Sequence, residues 1–62
     1  MNNATIIKRK YDRELDTIRE NDNLLNAWEM DFIDRIQDFG LITDRQAETI
    51  EKIYKKVNSK RR

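Results

Sequence analysis

No proline and a single glycine, Gly40, interrupt the 62 residues of this chain, so almost nothing in its backbone chemistry forces a helix to stop. Helix-favouring Glu, Lys, Arg, Ile and Leu supply much of the remainder, and their intrinsic propensities lean toward helix along the whole length. The length allows one domain. A domain of this size buries only about 60% of the surface its unfolded chain exposes. With neither Cys nor His in the sequence, no disulfide or Cys/His zinc site can compensate for the small core. Close helix packing or self-association is what remains. The expected fold is all-α, a small three-helix domain built on a C-terminal helical hairpin.

The hairpin is the most legible part. Ala47, Ile50, Ile53, Tyr54 and Val57 recur at the spacing of one helical face, which predicts a helix over about 44–58. Thr43 followed three residues later by Gln46 is a capping box at its start. Gly40 stands where a left-handed residue would close the helix before it. That helix is predicted over about 27–39, with its own box in Asn26 and Glu29 and a staple of Leu25 on Met30. Trp28, Phe32, Ile33, Ile36 and Phe39 fall on its broad apolar face, and Asp31, Asp34 and Asp38 on a narrow acidic stripe opposite. Trp28 is expected to anchor the core. Upstream, Ile7, Tyr11, Leu15 and Ile18 mark a third helix over about 4–20, broken by Asn21, Asp22 and Asn23. A basic tail, 59–62, ends the chain.

The near-neutral total hides a segregation of charge. Residues 1–19 carry five basic and three acidic groups, residues 20–51 two and nine, and residues 52–62 six and none. Folding could gather these into two faces of opposite sign. Arg45, Lys52, Lys55 and Lys56 occupy one side of the last helix and Lys60, Arg61 and Arg62 extend it, a candidate surface for nucleic-acid phosphates. The same cations also have work without a partner, since Glu48 and Glu51 stand four residues before Lys52 and Lys55 and late basic groups complement the helix dipole. Base-specific readout by a helix–turn–helix is disfavoured. Ile36 occupies the position four before Gly40, where a close crossing needs a small residue, and Glu48 would face phosphate. Asp31, Asp34 and Asp38 are the candidate acidic partner face.

Catalysis is not expected. The chain has no thiol nucleophile, no imidazole base and no glycine-rich phosphate loop, and three carboxylates on a solvated helix face lack the burial or partner that would tune them. No cofactor or metal is expected, because no loop arranges oxygens around an ion. No apolar run reaches the roughly 20 residues of a membrane span and no signal pattern opens the sequence, so a cytoplasmic setting without membrane contact is expected.

Trp28, Glu29, Phe32, Ile33 and Ile36, then Leu41, Thr43, Gln46, Ile50, Ile53 and Tyr54, form a pattern that resembles the short helical domain of tailed phages associated with the UvsW recombination and repair helicase. The resemblance covers about residues 26–57. It implies a non-catalytic accessory of DNA recombination or repair, acting through a protein partner, nucleic acid or both. Helicase activity cannot lie in this chain, which has no ATPase motif. Two further classes compete with it: a phage-encoded inhibitor that binds a host protein through the acidic middle, and a helical module that pairs with a second copy of itself.

Overall fold

The computed structural model describes residues 3–60. The chain folds into a mostly helical domain with three α-helices, α1 (Asp12–Glu20), α2 (Ala27–Ile36) and α3 (Asp44–Lys60), and one two-stranded ribbon, β1 (Ile6–Ile7) with β2 (Leu41–Ile42). Both capping boxes form. The Asn26 side chain accepts the Glu29 N–H at 2.8 Å while Glu29 accepts the Asn26 N–H at 2.9 Å, and Thr43 and Gln46 exchange the equivalent pair at 3.1 and 2.8 Å. Each box satisfies two backbone donors that a helix start otherwise leaves open, and so fixes where α2 and α3 begin.

The first helix is shorter than the apolar spacing predicts. Residues 6 and 7 are extended and pair antiparallel with the connection between α2 and α3, Ile6 opposite Ile42 and Ile7 opposite Leu41. Residues 8–11 make a turn of 3-10 helix, and α1 proper starts at Asp12. Two consecutive β-branched residues suit an extended strand better than a helix entry with no side-chain cap. The pairing also gives the connection's backbone groups partners, continued by the Lys8 N–H on the Gly40 carbonyl at 3.1 Å. The alternation of the ribbon turns Ile6 inward and leaves Ile7 exposed, the reverse of what the helical spacing implied.

The second helix stops at Ile36, three residues before the expected Phe39. Its end is a turn in which Phe39 donates to the Ile36 carbonyl at 3.0 Å, and the Lys8 ammonium reaches across to the Gln37 carbonyl. A cation on the last carbonyls of a helix is favourable, so the N-terminal segment supplies the cap expected of Gly40. No residue described has a positive φ, Gly40 included.

Among the described residues nine apolar side chains form the core: Leu15 and Ile18 from α1, Ile33 and Ile36 from α2, Ile42 from β2, and Ala47, Ile50, Ile53 and Val57 from α3. α3 is therefore the central element. α1 runs closest to it, while α2 stands further off and reaches the core through its isoleucines. The expected close hairpin of α2 on α3 is thus loosened. Phe32 packs half-buried at the core edge, and Trp28 and Phe39 lie on the surface.

Two substitutions separate the caps. Thr43→Ala removes a side-chain acceptor and should cost about 1 kcal/mol in thermal or denaturant unfolding. Gly40→Ala should stabilise by about 0.5 kcal/mol, since the backbone there needs no left-handed conformation and an added Cβ meets no atom within 4 Å. A loss on Gly40→Ala would restore the left-handed cap.

Candidate nucleic-acid interface

Among the described residues Glu29 is the one charged residue buried with the core, 9% exposed. Besides closing the cap of α2, its Oε1 accepts the Lys56 ammonium at 2.6 Å, which ties the start of α2 to the last turns of α3. Burial alone would push this carboxyl up. The bonds from Lys56 and from the Asn26 N–H, together with the charges of Lys56 and Lys60, outweigh it and hold the group below its ordinary value of 4.5. Lys56 is accordingly not a free surface cation, as the sequence suggested, but one already matched by an internal carboxylate.

This pair orients the two helices. Counting about 100° per residue, α3 buries the line Ala47, Ile50, Ile53, Val57, with Arg45, Lys52, Lys56 and Lys60 on one flank and Glu51, Tyr54 and Lys55 on the other. The first flank meets α2 through Lys56 and Glu29. The second meets the α1 side, where the Tyr11 hydroxyl donates to Glu51 at 3.2 Å. Burial, then the hydrogen bond and charge of Glu51, push that hydroxyl above its ordinary value.

On α2 the buried line is Glu29, Ile33 and Ile36. Met30 and Asp34 fall on the flank toward α1, where they line a shallow cavity of about 120 Å³ with Arg19, Asp22, Leu25 and Gln37. Trp28 and Phe32 fall on the opposite flank, toward α3. The two residues of the expected staple, Leu25 half-buried and Met30 exposed, both line this cavity.

The seam between α2 and α3 therefore carries two kinds of side chain. On its α3 lip lie Arg45, Lys52 and Lys60, all exposed, with Lys56 matched to Glu29. On its α2 lip Trp28, 62% exposed, lies parallel on Phe32 with ring centroids 5.6 Å apart and planes within 7°. Sequence reading placed Trp28 in the core because it shares a helical face with Phe32 and Ile33. The buried direction of α2 is instead turned toward Glu29, which its ion pair brings inside.

The remaining candidates are distributed elsewhere. Lys55 is exposed on the α1-facing flank, and Arg61 and Arg62 lie outside the described residues. Among the described residues the ion pairs are Glu29–Lys56 and Asp31–Arg35, the latter at 3.0 Å, so neither Lys52 nor Lys55 is held by the glutamate one turn before it. Asp31, Asp34 and Asp38 are all exposed, but Asp31 is matched by Arg35, Asp34 borders the cavity and Asp38 lies past the end of α2. Their acidic stripe is not continuous. No helix among the described residues is long and apolar enough to cross a membrane. Compared with known protein families, curated proteins and solved structures, the chain matches none.

Glu29→Gln keeps the capping acceptor and removes the charge. Because the folded carboxyl titrates below 4.5, its stabilisation is complete above that value and is lost as pH falls through the lower folded pKa. The wild type should exceed the variant by about 1–2 kcal/mol at neutral pH, and the two melting temperatures should converge as the buffer is taken below 4.5. A gap that persists in acid would place its source outside the charge.

Proposed function

We propose that the chain is a non-catalytic accessory module that contacts nucleic acid through the α3 lip of the seam, in the recombination or repair setting implied by its resemblance to the helicase-associated phage domain. The observation that carries this reading is the exposed row Arg45, Lys52 and Lys60, whose cations have no carboxylate partner among the described residues. Phosphate contacts of this kind position a chain without reading sequence. They draw their energy from counterion release.

A protein partner fits a different surface. The outward pair Ile7 and Leu41 of the ribbon, with Phe39 beside it, is exposed on the side where β1 meets the connection. A helicase or a second copy of the chain would seat there. The inhibitor reading draws less support, since Arg35 interrupts the acidic stripe it requires.

The test is a binding titration with labelled DNA at several salt concentrations. Affinity should be weak, indifferent to sequence and steeply salt-dependent. Replacing Arg45, Lys52 and Lys60 together by Gln should weaken binding and reduce the slope of log affinity against log salt by about 2, with helix content unchanged because all three are exposed. Lys56 is left in place, since its removal would strand Glu29. Absence of binding at low salt, or a slope untouched by the triple substitution, overturns the assignment.

A further inference from the structure

We propose that the α2–α3 seam is a site for single-stranded nucleic acid, in which a base stacks on the open face of Trp28 while Arg45, Lys52 and Lys60 follow the strand's phosphates; this rests on the phosphate-contact reading above. An indole has two faces. One of them is laid on Phe32, so the 62% exposure of Trp28 leaves the other available. Phe32 is anchored at the core edge and fixes the ring's tilt, which lowers the ordering cost of stacking a ligand on it. Isolated exposed aromatics lack such support.

The surroundings select the kind of ligand. Met30, Ile7, Phe39 and Leu41, the other large exposed apolar residues among those described, lie on the cavity flank of α2 or at the ribbon. The seam is thus an aromatic ring beside a row of cations, with Glu48 exposed between Arg45 and Lys52, and not a general apolar groove. Glu29, next in sequence to Trp28, bonds Lys56, which places the start of α2 beside the C-terminal end of the row. From Arg45 to Lys60 the row extends about 22 Å at 1.5 Å per residue, enough for a few nucleotides. A polymer with a negative backbone and open π-faces satisfies both lips at once. A duplex has the charge, but its bases are stacked on one another and offer no face.

Trp28 is the chain's single tryptophan, so its fluorescence reports on the ring alone. The experiment titrates the full chain at low salt with an oligothymidylate of about 12 nucleotides, within the range bound by small single-strand sites, and with a hairpin duplex of equal phosphate count. Fluorescence is followed together with the anisotropy of labelled DNA. The single strand should quench the tryptophan and bind about tenfold more tightly than the duplex. Trp28→Ala should remove that tenfold advantage and leave duplex binding unchanged, and Trp28→Phe should restore most of it. Both variants should fold, as the side chain is mostly exposed. Single-strand binding without quenching, or equal affinity for both DNAs in the wild type, overturns the stacking site while leaving the phosphate-contact reading intact. No binding to either DNA overturns both. Quenching by poly-glutamate equal to that by the oligonucleotide would assign the seam to an acidic protein partner instead.

Discussion

One carboxylate organises this domain. Glu29 closes the N-terminal cap of α2, accepts the ammonium of Lys56 on α3 and does both from a position almost removed from water. A buried charge is tolerable only when its oxygens are supplied with donors, and these two supply the same oxygen atom from different elements. The rotation of α2 follows from it. With Glu29 drawn inward, Ile33 and Ile36 enter the core beside it and Trp28, one step back along the helix, is carried out to the surface.

The second constraint is the N-terminal segment. A hairpin of two helices leaves its connection with unpaired backbone groups and an open C-terminal helix end. Ile6 and Ile7 pair with the connection, Lys8 donates to Gly40 from its backbone, and its side chain reaches the Gln37 carbonyl. The segment gives the central α3 a close neighbour in α1, and Ile42, fully buried beneath the ribbon, ties the connection to the core. Packed around α3, the described residues enclose a core of nine apolar groups, with no cysteine in the chain to add a disulfide.

The charge segregation along the sequence acquires a direction in the fold. Among the described residues of the basic last segment, only Lys56 meets a middle-segment carboxylate at bonding distance. Arg45, Lys52 and Lys60 line the same flank without one. The acidic groups of α2 point away from the seam or pair within their own helix, while Glu48 of α3 stays exposed between Arg45 and Lys52. An anionic polymer approaching the seam meets cations and an aromatic ring.

The local chemistry was legible in the sequence. Two capping boxes set the starts of α2 and α3, and the periodicity of Ala47, Ile50, Ile53 and Val57 marked the face of α3 that is buried, because caps and amphipathic spacing are satisfied by residues three or four apart. The same spacing did not separate Lys55, on the α1-facing flank, from Arg45, Lys52 and Lys56. Contacts between distant residues were not legible. Ile6 is extended because Ile42, 36 residues later, offers it a ladder partner. Lys56 is a structural cation because Glu29, 27 residues earlier, is buried against it. Trp28 is a surface ring because that same pair fixes how α2 is turned. Periodicity determines that a helix has an apolar side, but the centre of a side spanning Trp28 to Ile36 is decided only by what the neighbouring helix brings to it.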